Sequence, residues 1–156
     1  MLLEGITVSQ DSAARFAASY ALLRAAADVA DHWVQTDHQA AAKGQHDHNP
    51  GQSSAAGRRA CAAHVATYTA TQAAVLLAGT RVLGIRLRPG RVAAALALSA
   101  ATHYVADRRE PLRRLADATG SRAFVRLADH GMNGAYCLDQ AWHHFFETAA
   151  ALVTAA

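Results

Sequence analysis

One residue in four of this chain is alanine, 40 of 156. Alanine is the best helix former, and its side chain carries no polar atom into a core. The larger core formers are few: 15 Leu, 10 Val, 2 Ile and 4 Phe, together 31 of 156. That sits near the floor of about 20% below which chains struggle to bury a core. So few β-branched aliphatics cannot furnish the continuous Val/Ile runs of a parallel sheet or the alternating strands of a sandwich. The chain is therefore expected to be all-α, with helices packed at short range. Its length fits a single helical domain over residues 1–156.

The charge balance is mild. Fifteen basic residues against 12 acidic give +3 with histidine neutral, and Lys43 is the only lysine. Aromatics make up 6%, too few for a nucleic-acid stacking platform. Cys61 and Cys137 lie far apart with no CxxC spacing, which reads as two reduced thiols in a cytosolic or membrane setting. The N-terminal MLLEGITVSQ has no basic region and is not expected to act as a signal peptide. The uncharged run ACAAHVATYTATQAAVLLAGT (60–80) is long enough to span a bilayer but only weakly apolar. Asp28, Asp31, Arg15 and Arg24 on the first helix would be costly in lipid. With a mean hydropathy of +0.02, a soluble bundle is favoured and membrane association is the alternative.

Apolar positions Phe16, Tyr20, Leu23, Ala27, Ala30 and Val34 recur near a 3.6 period, predicting one helix from about Asp11 to Lys43. Thr7 or Ser9 would cap it, and Gly44 would end it. GQHDHNPGQSSAAG (44–57) reads as a flexible loop. A second helix is predicted over 58–83 and a third over 91–107, joined by the basic turn RLRPGR. Pro111 opens a short helix over 111–118, Ser121 caps another over 122–130, HGMNG (130–134) turns the chain, and a last helix covers about 136–153. The architecture expected is a four-helix bundle with two short additional helices before the last long one.

Residues four apart share a helix face. Three of the predicted long helices carry Asp and His at that spacing: Asp28/His32, His103/Asp107 and Asp139/His143. The second helix adds His64, and Asp31/Gln35 runs beside the first pair. The flanks are apolar: ACAAHVATY, LALSAATHYVA and LDQAWHHFF. Ionisable groups buried in such surroundings are costly unless they are paired or bind a metal. Helix bundles build metal sites from inward-facing His and carboxylate groups, and His with Asp suits Zn, Mn, Fe or Ni. His46 and His48 in the loop form at most a second metal clip, with a solvated loop as the plainer reading. Trp33 and Trp142 beside the cluster read as core packing or as a pocket wall.

Taken in order, ADHWVQTDHQA (30–40), His64 in an apolar helix, His103-x-x-x-Asp107 and LDQAWHH (138–144) resemble the family called domain of unknown function 3307. These are small phage and bacterial multi-helix proteins, often membrane-embedded. The resemblance implies Asp31, Gln35, Thr36, His64, His103, Asp107, Asp139, Gln140 and His143 as the matching positions. It points to Asp31 rather than Asp28, and it supplies no activity. This chain departs from the family in being less hydrophobic.

Two functions follow from these residues. One is a metal-dependent hydrolase acting on a phosphoester or similar small anionic substrate. His64, His103, His143 and Asp107 would be ligands, with Asp28 and His32 as further candidates. Asp31 or Asp139 would serve as base, and Gln35 and Gln140 would orient water or substrate. Arg108, Arg109, Arg113 and Arg114 could meet the anion, although a solvated helix face is the plainer reading. The other is a non-enzymatic interaction protein contacting its partner through RLRPGR and RREPLRR, with nucleic acid the weaker partner class. A membrane-associated metal-binding protein is the variant in lipid.

Overall fold

The computed structural model describes residues 10–156, so the proposed caps at Thr7 and Ser9 lie outside the described residues. The chain forms helices α1 (Gln10–Val29), α2 (Asp37–Ala42), α3 (Ser54–Val82), α4 (Pro89–Asp107), α5 (Glu110–Ala118) and α6 (Gly134–Ala155). The long helices α1, α3, α4 and α6 pack in a ring, each against two neighbours, and run alternately up and down. The all-α bundle thus forms as the alanine content demands. Among the described residues no helix is long and apolar enough to cross a membrane, including the one that contains the 60–80 run.

Local chemistry sets the helix ends. Ser53 accepts from Ala56 N to start α3, Pro89 occupies the first turn of α4, and Asn133 accepts from Tyr136 N to start α6. The single helix predicted for 11–43 is broken. Ala30–Val34 widens into a π-helical turn, with Gln35 N bonding Ala30 O at 3.0 Å. Thr36 then starts a new helix through a capping box with Gln39. The helix predicted over 122–130 shrinks to a 3₁₀ turn, Phe124–Arg126. A two-residue hairpin pairs Ala128 with Asn133 and Asp129 with Met132. Its His130-Gly131 turn has φ of 47° and 81°, a left-handed pair suited to a tight hairpin.

The 44–57 segment is tied down rather than free, and α3 takes over its last residues. Arg108, which is buried, donates to the carbonyls of Lys43 and Gln45, and His46 Nε2 meets the Arg108 carbonyl at 3.0 Å. Gly57 permits this clamp, since a Cβ there would fall 2.5 Å from both Arg108 Nη1 and the Gln45 carbonyl oxygen.

The inward stripes are apolar only at one end of the bundle. Leu23, Leu76, Val92, Ala95, Ala150 and Ala151 form the principal apolar cluster. Further along, the same stripes carry Gln72, Tyr68 and His64 on α3, Ser99, His103 and Asp107 on α4, and Glu147 and His143 on α6.

Candidate metal centre

The polar end of the core gathers side chains from three helices and the π-helical turn. His64 is fully buried at the middle of α3, and His103 and Asp107 are buried one turn apart near the end of α4. Asp31 arrives on the π turn, its side chain 14% exposed. Gln35 supports that turn by donating through Nε2 to the Asp31 carbonyl at 2.9 Å. π turns inside helices recur at functional sites because the wider turn re-aims side chains.

Four atoms converge: His64 Nε2, His103 Nε2, Asp31 Oδ1 and Asp107 Oδ2. The His64–His103 edge is 3.0 Å and His64–Asp31 is 3.1 Å. His103–Asp107 is 3.1 Å, while His103–Asp31 and His64–Asp107 are each 3.4 Å. Ionised carboxylates only accept, and each imidazole offers one hydrogen at Nε2, so four lone-pair-bearing atoms share two hydrogens at most. Asp107 Oδ2 is buried and makes no aligned hydrogen bond despite its nearness to both rings. Tetrahedral coordination at about 2.0–2.2 Å places ligand atoms about 3.3–3.6 Å apart. Two of the five edges, at 3.4 Å, lie within that spacing and three, at 3.0–3.1 Å, are shorter, close enough for a small divalent cation to be shared among these donors.

Ring packing sets the imidazole orientations. The Tyr68 ring lies 3.8 Å from His103, centre to centre, and His143 lies 4.3 Å from it. The Nδ1 atoms of His64 and His103 are buried with no partner among the described residues, so no described carboxylate or carbonyl holds either ring from behind.

The electrostatics keep the carboxylates ionised. Burial works against Asp107, but His103 and Lys43, whose Nζ lies 2.7 Å from Oδ1, outweigh it and hold the carboxyl well below its ordinary range. Burial likewise opposes Asp31, and the His64 bond with the His103, His143 and Lys43 charges brings it below its ordinary value. Burial depresses His103. His143 is opposed by burial yet raised by Asp139, Asp31 and Asp107.

The cluster opens on a pocket of about 460 Å³ whose wall includes Asp31, Lys43, Asp107, Arg109, Asp139 and His143. Gln35, Gln140, His32 and Tyr136 also line it. Asp139 Oδ2 stands 3.4 Å from His143 Nε2, and Gln140 Nε2 is 3.4 Å from the same oxygen. Arg109 reaches the pocket from a backbone with φ 59°, a conformation rare for a side chain other than glycine.

Several expectations need correction. Asp28 does not reach the cluster; it is half exposed and paired with Arg24. His32 is exposed, with Nδ1 at 2.9 Å from the Asp28 carbonyl, so it stands at the pocket mouth rather than in the donor set. The i,i+4 pair is real, but it projects from the bundle instead of into it. Asp31, expected as a base or an outer residue, belongs to the four converging atoms, whereas His143 stands beside them. Trp33 is 86% exposed and is neither core nor pocket wall; Trp142 donates Nε1 to the Thr102 carbonyl. The Arg run divides: Arg108 clamps the loop, Arg109 faces the pocket, and Arg114 pairs with Glu110. Cys61 is a buried free thiol, and burial, aided by Asp107, pushes it up to about 12.

Sequence reasoning passed over a second polar group beneath the site. Tyr68 donates to Glu147 Oε1 at 3.0 Å, Gln72 Nε2 donates to the Tyr68 hydroxyl at 3.1 Å, and Ser99 donates to Gln72 Oε1 at 2.8 Å. Arg24 meets Glu147 Oε2 at 2.9 Å. The signal was available: Cys61, His64, Tyr68, Gln72, Leu76 and Thr80 recur at three- and four-residue spacing, the period of one buried stripe.

No protein-family model, curated protein or solved structure matches the chain.

Proposed function

We propose that this chain is a metalloprotein of hydrolase type, binding a divalent transition metal (Zn, Mn, Fe or Ni) through Asp31, His64, His103 and Asp107. The observation that carries this reading is the convergence of His64, His103 and Asp107, all buried, with Asp31 Oδ1 3.1 Å from His64 Nε2 and 3.4 Å from His103 Nε2. The ordered motifs behind the resemblance to domain of unknown function 3307 fall in and around this site, which supports that kinship as part of the proposal.

A metal held here would lower the pKa of a bound water towards neutrality only with a position open to it, either with one of the two carboxylates released or with the coordination expanded to five. The chain's own groups then divide the remaining work. Asp139, its side chain 28% exposed on the pocket wall, accepts a proton from an attacking water. Lys43 and Arg109 hold an anionic substrate, such as a phosphoester, against the cluster. Gln35 and Gln140 orient its polar atoms.

The test is metal analysis of protein purified without a histidine tag, paired with hydrolysis of p-nitrophenyl phosphate and bis-p-nitrophenyl phosphate. Stoichiometric metal, absent from His64→Ala and His103→Ala, is expected. Wild-type protein that stays metal-free after incubation with Zn²⁺, Mn²⁺, Fe²⁺ and Ni²⁺ defeats the metal centre. Metal-loaded protein that turns over neither ester defeats the assignment of phosphoester substrates.

A further inference from the structure

The pocket wall on α6 carries two donors that the four-atom cluster leaves unused. His143 is 4% exposed and Asp139 sits one turn before it, their facing atoms 3.4 Å apart. Ligand atoms of Asp107, Asp139 and His143 lie within 4.8 Å of one another, and so do those of Asp31, His103 and His143. These triplets interlock with His64–His103–Asp107 through His103 and Asp107. A carboxylate has two oxygens, and those of Asp107 face different ways. Oδ2 lies near the two imidazole nitrogens, and Oδ1 meets Lys43.

We infer that the site takes two divalent cations. One lies among Asp31, His64, His103 and Asp107, and the other lies on the pocket side against Asp107, Asp139 and His143, with Asp107 common to both. This inference rests on the proposed metal centre and extends it. Charge orders the two events. With the histidines neutral, Asp31, Asp107 and Asp139 against Lys43 and Arg109 leave −1. The first divalent cation brings the site to +1 and the second to +3, so the second binds more weakly and an anion in the pocket tightens it. Lys43 already occupies Oδ1 of Asp107 and must share it.

A rival position for a second ion exists at His46, His48 and Glu110. It is poorer, because Arg108 Nη2 lies 3.3 Å from His46 Nδ1 and Arg114 Nη2 lies 2.9 Å from Glu110. Two guanidinium groups there repel a cation.

The experiment titrates metal-free, untagged protein with Mn²⁺ and counts bound ions by native mass spectrometry, with and without inorganic phosphate. Electron paramagnetic resonance of the loaded protein reports whether the ions are coupled. Two equivalents per chain are expected, with a coupled-pair spectrum. Asp139→Asn and His143→Ala should each keep one equivalent and lose the other, with helical circular dichroism unchanged. His48→Ala should keep both. One equivalent in wild type, His143→Ala and Asp139→Asn alike overturns the second ion and leaves the proposed metal centre standing. A second equivalent lost in His48→Ala but kept in His143→Ala also overturns it. Protein that binds no Mn²⁺ or Zn²⁺ under any of these conditions removes both readings.

Discussion

Two groups of buried polar side chains occupy the same four-helix core, and they are finished differently. In the lower group, Ser99, Gln72, Tyr68 and Glu147 are buried between helices and, with the partly exposed Arg24, form a chain of donors and acceptors between 2.8 and 3.1 Å. In the upper group, Asp31, His64, His103 and Asp107 converge with more lone pairs than hydrogens. Among the described residues five buried side-chain polar atoms lack a protein partner; three belong to this cluster and a fourth, Gln35 Oε1, belongs to a side chain lining the pocket that opens from it. A satisfied network rigidifies a core, whereas an unsatisfied one is costly and calls for an explanation. The contrast separates scaffold from site without appeal to residue type, since both groups hold carboxylates and aromatic rings.

The contrast breaks most visibly in thermal unfolding with and without metal. A ligand at about a thousandfold above its Kd stabilises by about 4 kcal/mol. At about 2–4 °C per kcal/mol for a chain of this size, the upward shift on adding Zn²⁺ or Mn²⁺ to metal-free protein should be about 10 °C. In His103→Ala that shift should vanish, whatever the substitution does to the metal-free protein. A shift of equal size in wild type and His103→Ala would place the metal elsewhere.

Tyr68→Phe tests the lower group. It keeps the ring packed on His103 but strips the hydroxyl from Glu147 and Gln72, leaving a buried acceptor and donor unpaired. The expected loss is about 1–3 kcal/mol, read from urea unfolding. Burial already pushes the Glu147 carboxyl above its ordinary value, so it has little reserve to lose a partner cheaply. Metal stoichiometry should not change. A Tyr68→Phe protein that folds yet loses its metal would make the two groups one site.

Much of this was legible before any coordinates. Alanine content and the scarcity of β-branched residues dictate the bundle, and His64, His103/Asp107 and Asp139/His143 announce themselves by spacing. What stayed hidden depends on backbone detail. The choice between Asp28 and Asp31 turns on which follows the stripe Leu23–Ala27–Ala30: Asp31 lies four residues after Ala27, while Asp28 lies 100° around from it. The π turn has no sequence signature of its own, but the helix restart beyond it does, in Thr36-x-x-Gln39. The lower group escaped notice because Tyr68 and Glu147 are far apart in sequence, and neither belongs to an i,i+4 Asp/His pair.

The smallest expected effect gives the sharpest test of that register. Asp28 and His32 form as good an i,i+4 pair as His103 and Asp107, so a reading by spacing alone makes Asp28→Asn and His32→Ala costly to metal binding. In the fold, Asp28 is solvated and shares Arg24 with the buried Glu147, and the His32 ring nitrogens meet the Asp28 carbonyl and, at 3.4 Å, the Tyr136 hydroxyl. Exposed pairs of this kind contribute about 0–1 kcal/mol. Asp28→Asn and His32→Ala should therefore leave metal content at the wild-type level and stability within about 0.5 kcal/mol. Asp31→Asn, three residues along from Asp28, should instead weaken the metal. If Asp28→Asn strips the metal and Asp31→Asn does not, the helix continues through residues 30–34 without the wider turn, and the donor set must be redrawn around Asp28.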